Sequence, residues 1–163
     1  MQGNTIVPLY DPSISSIYIP ASQLIIHSGA PSQGSLSGDP YWAFDAASAE
    51  NTTTALVLPS YWNTFNIRFR WANAGAGAGD VVWAAVHSQV AVGGNASTAS
   101  ATAAQATATA GTQNIVVETT IASGLVRTAS AVLRVRPGRV AADGADTLAN
   151  DAYLFGVYFD RAS

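Results

Sequence analysis

The sequence predicts an all-β protein: an antiparallel, jelly-roll-like β-sandwich of about eight strands behind an extended N-terminal arm. Three observations carry this. Apolar residues recur with a period of two in several segments, no segment keeps the 3.6-residue period of an amphipathic helix, and Gly, Pro, Asn and Asp break the chain at short intervals. A chain of 163 residues needs only one core. The reading divides it into an arm over residues 1–38 and a sandwich domain over 39–163.

Pro8, Pro12, Pro20 and Pro31, with Gly3, Gly29, Gly34 and Gly38, exclude a helix from the arm. The arm is nevertheless apolar. Ile6, Val7, Leu9, Tyr10, Ile14, Ile17, Tyr18 and Ile19 need a surface, either on their own domain or across a neighbouring subunit, and twenty extended residues reach about 65 Å. The neighbour is the favoured choice, so these eight are the expected partner-binding residues. Ser22 to His27 reads as a first strand, followed by a turn-rich stretch from Ser28 to Pro40.

From Tyr41 the alternation is clearer. Trp42 and Phe44 oppose Tyr41 and Ala43, and Ala55 to Leu58 form a short strand stopped by Pro59. Thr64 to Ala72 sets Phe65, Ile67, Phe69 and Trp71 against Asn66, Arg68 and Arg70, the pattern of a half-buried strand. The Gly75–Asp80 run reverses the chain into Val81–Val90. Residues 95–112 read as a loop and a Thr-alternating strand, since alternating Thr disfavours a helix. Strands at Gln113–Ile121 and Leu125–Val135 follow, then a turn at Pro137–Gly138. The last strand, Ala152–Arg161, places Tyr153, Phe155, Val157 and Phe159 on one face and Leu154, Gly156 and Tyr158 on the other.

Composition narrows the function. Hydrophobic residues make up 48% of the chain and charged residues 10%, a neutral surface that does little to keep molecules apart and predicts a homo-oligomer, dimer or trimer. All seven basic residues are Arg; Arg68/Arg70 and Arg134/Arg136 alternate on strands and are expected on solvated or interface faces. A net charge of -3 argues against nucleic acid. The absence of Cys excludes disulfides, thiolate metal sites and a Cys nucleophile. Neither a membrane span nor a secretion signal is legible, which predicts synthesis in the cytoplasm and no membrane partner.

No catalytic, cofactor or metal site is predicted. His27 and His87 lie in different elements, as do Glu50 and Glu118. The Asp143–Asp151 turn holds oxygens suited to Ca²⁺ but lacks the calcium-loop pattern, and a turn capped by its own Asp and Asn side chains is the plainer reading. The glycines from 75 to 79 lack the Lys-Ser/Thr of a phosphate loop, and no Gly-x-Ser-x-Gly is present. Trp42, Trp62, Trp71 and Trp83, with Tyr41 and Tyr61, include rings that could stack on sugars. Trp71 and Trp83 sit in core register, leaving Tyr61 and Trp62, after Pro59, as the contact candidates.

The Trp-bearing segments Tyr41–Asp45, Leu58–Trp62, Ile67–Ala72 and Val81–Trp83, with Asp143–Asp151 and Tyr153–Val157, resemble small structural proteins of tailed bacteriophages over residues 41–160. The resemblance implies a jelly-roll-like domain in a virion, made in the bacterial host cytoplasm. It implies a capsid decoration (cement) protein binding the major capsid protein or other virion subunits, non-enzymatic, with the arm and Arg68, Arg70, Arg134 and Arg136 as contacts. The alternative is a tail, baseplate or fibre module recognising a host-surface glycan through Tyr61 and Trp62.

Overall fold

The computed structural model describes residues 13–97 and 101–163. Among them the fold is all-β, with β1 (Ser16–Pro20), a 3₁₀ turn (Ala21–Gln23), β2 (Ile25–Ser28), β3 (Ser32–Leu36), β4 (Asp39–Phe44), β5 (Glu50–Leu56), β6 (Thr64–Asn73), β7 (Asp80–Ala91), β8 (Thr102–Thr109), β9 (Val116–Val126), β10 (Ala131–Arg139) and β11 (Ala152–Arg161). All pairings are antiparallel. One sheet runs β3-β4-β11-β6-β9, the other β2-β5-β10-β7-β8. In the first, β4 pairs with Ala152–Leu154 and β1 with Gly156–Asp160, so the two short strands share one edge of β11.

The sheets pack face to face over the predicted core. Phe65, Ile67, Phe69 and Trp71 of β6 are fully buried, as are Val157 and Phe159 of β11. Trp83, on β7 of the opposite sheet, meets Phe44, Phe69 and Trp71 edge-on at 5.5, 5.6 and 5.7 Å between centroids, the geometry that aromatic quadrupoles prefer. This is the antiparallel sandwich that the alternation predicts.

Several sequence expectations need correction. Residues 16–36, assigned to the arm, supply three strands of the sandwich. Ile17 and Ile19 pack on the core of their own domain instead of a neighbour's surface. Ile6, Val7, Leu9 and Tyr10 lie outside the described residues. β3 is polar and reads as a turn, yet it forms a hairpin with β4 through Ser37 (φ 52°) and Gly38 (φ 90°), a pair of left-handed residues suited to the strand twist. Pro137 and Gly138 continue β10 instead of turning. The reason lies next door: a Cβ on Gly138 would stand 2.6 Å from the Glu50 carbonyl oxygen, so the glycine serves close approach of β5.

Candidate functional site

The outward face of the first sheet gathers Tyr18, Tyr41, Tyr153 and Tyr158 with Arg68, Arg70, Asp39, Glu118 and Asp160. Strand alternation puts most of them there. With Phe65, Ile67 and Phe69 inward, Arg68 and Arg70 point out of β6. Tyr18 of β1 pairs with Tyr158 of β11, and Tyr158 pairs with Arg68 on its other side.

Tyr153 and Tyr158 are an exception that decides the site. They are five positions apart, an odd offset that regular alternation places on opposite faces, as the sequence reading did. A register shift between Leu154 and Gly156 inserts Phe155 as a bulge and restores both tyrosines to the same outward face. Phe155 is itself buried, and it meets the Tyr41 ring edge-on at 6.0 Å.

The rings lie in two pairs. Tyr41 and Tyr153 stack at 3.9 Å with planes 18° apart, while Tyr18 and Tyr158 sit 4.6 Å apart, tilted by 33°. Two glycines leave room beneath them. A Cβ on Gly34 would stand 2.6 Å from the Tyr41 ring, and one on Gly156 would stand 2.5 Å from the Tyr18 ring. Tyr18 is tethered by its hydroxyl, which donates to the Phe155 carbonyl at 2.9 Å. Burial raises its pKa, with Arg70 pulling the other way. The Tyr153 hydroxyl is also held above its ordinary value, by hydrogen bonding with Tyr41 and then by burial.

Arg68 organises the charges. Its guanidinium lies over the Tyr158 ring at 4.6 Å, its Nε and Nη2 donate to the Asp160 carboxylate at 3.0 and 3.2 Å, and its Nη1 donates to Glu118. Ser16 donates its hydroxyl to the same Asp160 at 2.7 Å. The Asp160 hydrogen bond, ahead of the surrounding charges, holds Arg68 still more firmly protonated. Arg70 approaches Asp39 only to 4.0 Å, and its Nε is buried without a hydrogen-bond partner among the described residues. Both carboxylates beside Arg68 are engaged by one guanidinium, so neither stands apart as an acid–base group. The face offers half-buried tyrosine rings edged by fixed donors and acceptors.

The other predicted residues scatter. Trp62 is fully buried, with its indole N–H donating to the Ile14 carbonyl at 3.1 Å, so it is not the exposed loop contact expected from Pro59. Tyr61 donates to the same carbonyl at 2.9 Å and lies under Arg161 at 5.5 Å. Ile14 is 43% exposed. Arg134 and Arg136 project from β10 on the opposite side of the molecule. In the Asp143–Asp151 turn, Asp143 caps the backbone N–H of Ala145 at 2.9 Å as expected. Asp146 instead forms a buried ion pair with Arg139, 2.7 Å at its shortest, which the sequence reading missed. Missed too were Tyr153, Tyr158, Asp39, Glu118 and Asp160 as members of one site. The alternation of Arg68 and Arg70 pointed to this face, and Tyr18 and Tyr41 were singled out separately, without being brought together.

No family model matches the chain, and no curated protein matches it. Solved structures do. The CBM36-1 domain of a multidomain xylanase from the hindgut metagenome of Trinervitermes trinervoides superposes with a TM-score of 0.56 at 11% identity, over 91% of this chain and 98% of that one. A family 35 carbohydrate-binding module from Clostridium thermocellum gives 0.55 at 13%, over 89% and 97%. A carbohydrate-binding module CBM36 in complex with calcium and xylotriose gives 0.54 at 16%, over 90% and 100%. At such identities the likeness shows the sandwich fold. The main functional expectation is corrected: these matches, which span 89–91% of the chain, are to carbohydrate-binding modules and not to virion proteins, and the capsid decoration reading is set aside.

Proposed function

We propose that the chain is a non-catalytic glycan-recognition module whose binding surface is the outward face of the first sheet. One observation carries the proposal: the Phe155 bulge brings Tyr153 and Tyr158 onto the same face as Tyr18, Tyr41, Arg68 and Arg70. Exposed aromatic faces stack on the C–H faces of sugar rings, while guanidinium and carboxylate groups bond the hydroxyls around them. The xylotriose bound by one structural neighbour supports a β-linked oligosaccharide as the first ligand to try.

Among the described residues no three His, Asp or Glu side chains gather as a metal-ligand set, and Asp146, the inward carboxylate of the acidic turn, is occupied by Arg139 and the Val82 N–H. Sugar binding here is therefore expected to survive chelation. Binding rests on rings and hydrogen bonds, and the two carboxylates near Arg68 hold that arginine in place.

The test is titration calorimetry with xylotriose and with the hits of a glycan array, on the unaltered chain and on Tyr153→Ala, Tyr158→Ala and Arg68→Gln. Loss of roughly tenfold or more in affinity is expected for each, as for central aromatic and Arg anchors elsewhere. A protein that binds no glycan on the array, or whose affinity survives both tyrosine substitutions, refutes the proposal.

A further inference from the structure

The geometry points to a second binding site, for an oxyanion, on the outward face of the other sheet. Arg134 and Arg136 are two apart on β10, so they leave the same face about 7 Å from one another. Beside them is a depression of about 380 Å³ lined by His27, Thr53, Ser88, Ser97, Arg134 and Arg136. Its wall combines two permanent positive charges with hydroxyls and an imidazole and, among the described residues, holds no carboxylate.

Most of the other arginines are already engaged. Arg68, Arg70 and Arg139 each face a carboxylate within 4.0 Å, and Arg127 is used up on the carbonyls of Ser60, Trp62 and Thr128. Arg134 donates one bond, to the Ala96 carbonyl at 2.8 Å, and Arg136 one, to the His27 ring at 2.9 Å. Each guanidinium has five N–H donors. Most of that capacity meets no protein acceptor among the described residues, on a molecule whose net charge is -3. Planar forks of this kind fit carboxylate, sulfate or phosphate oxygens two at a time.

A second depression of about 370 Å³ adjoins the first, sharing Thr53 and Arg134 and continuing over Gln23, Ile25 and Ala55. Ile25 is 66% exposed there. The groove is thus cationic at one end and neutral at the other, which suits a chain of sugar rings bearing acidic groups. The saccharide part of this inference rests on the glycan reading above; the anion part does not.

The experiment follows the His27 imidazole and the Arg134 and Arg136 guanidinium resonances by NMR. The unaltered chain is titrated with tetragalacturonate, inorganic sulfate or neutral xylotetraose. Saturable shifts with tetragalacturonate, weaker ones with sulfate and none at these groups with xylotetraose are expected. The Arg134→Gln/Arg136→Gln double variant should lose roughly a hundredfold in tetragalacturonate affinity, about tenfold per charge-assisted contact, while Tyr153→Ala leaves it unchanged. Sulfate binding as tightly as tetragalacturonate would overturn the saccharide part and support an anion site. Absence of saturable shifts with either anion, or a double variant that binds as tightly as the unaltered chain, would overturn the whole inference, whatever happens at the tyrosine face.

Discussion

Replacing Asp146 by Asn should remove the charge partner of Arg139 with almost no change in shape. Arg139 is 2% exposed, and the two side chains of the pair are 0% and 1% exposed. Its Nε and Nη2 donate to the two Asp146 oxygens at 3.0 and 2.7 Å. Nη1 donates to the Asn150 and Phe44 carbonyls at 2.7 and 3.4 Å, and Nη2 also to the Leu148 carbonyl. Asp146 in turn accepts the Val82 N–H at 3.0 Å. One ion pair therefore ties β10, β7, the end of β4 and the acidic turn together. Removing one partner of a buried pair costs about 3–5 kcal/mol, because the remaining charge keeps its desolvation penalty. Asn retains one acceptor and the carbonyls remain, so the lower bound, about 3 kcal/mol, applies. For a chain of this length that corresponds to a fall in Tm of about 6–12 °C. Thermal unfolding followed by circular dichroism reads the shift directly. The double variant Arg139→Met/Asp146→Leu should recover most of the loss, since apolar replacement of a whole buried pair is near neutral or better. An Asp146→Asn protein within about 1 kcal/mol of the parent would refute the claim that this pair holds the turn.

Two glycines separate site from scaffold. Gly34→Ala pushes against the far end of the Tyr41 side chain, so stability should stay within about 1 kcal/mol while glycan affinity falls as the Tyr41–Tyr153 stack opens; calorimetry with an array hit checks this. Gly156→Ala instead drives a Cβ to 2.5 Å from the Ile19 carbonyl oxygen, and should cost about 1–3 kcal/mol with lost hydrogen-exchange protection in β1. Trp62→Ala should destabilise by about 3–5 kcal/mol in urea unfolding, as removal of a buried ring does; a variant of undiminished stability would return Trp62 to the surface. His87 gives the pH dependence. Burial holds its folded pKa below the ordinary 6.5, so its neutral form is favoured on folding, and its contribution is complete above pH 6.5 and is lost as pH falls through 6.5 towards the folded value. His87→Gln should flatten the fall of Tm between pH 7 and pH 5, and an unchanged slope would exclude His87 as its cause.

The fold was legible wherever a strand is long and asymmetric. In β6 Phe65, Ile67, Phe69 and Trp71 line one face and Asn66, Arg68 and Arg70 the other, so a slip of one residue would turn the aromatic face to solvent. It was illegible where pairing depends on partners. β1 and β3 are short edge strands whose residues read as arm and turn, because their stability comes from β11 and β4 and not from their own pattern. Pro137 and Gly138 carry strong turn signals, and only the closeness of β5 shows why they are kept within β10.

The candidate face was hidden for a more specific reason. Period-two reasoning propagates along a strand, so one inserted residue reverses every assignment beyond it. Reading β11 from Tyr153, the sequence sent Tyr158 to the opposite side, and the group of four tyrosines could not be assembled. Pooling Trp and Tyr as one class of sugar-stacking ring hid it further. The structure divides them: all four tryptophans are at most 7% exposed, with the indole N–H groups of Trp42, Trp62 and Trp71 donating to protein oxygens. Four of the five described tyrosines face outward on one sheet. A buried indole needs a single acceptor, whereas a phenol on a sheet surface can keep its hydroxyl hydrated while presenting a flat ring. Core and candidate site are therefore built from different aromatics, and substitution of the tyrosines can alter binding while leaving the tryptophan core intact.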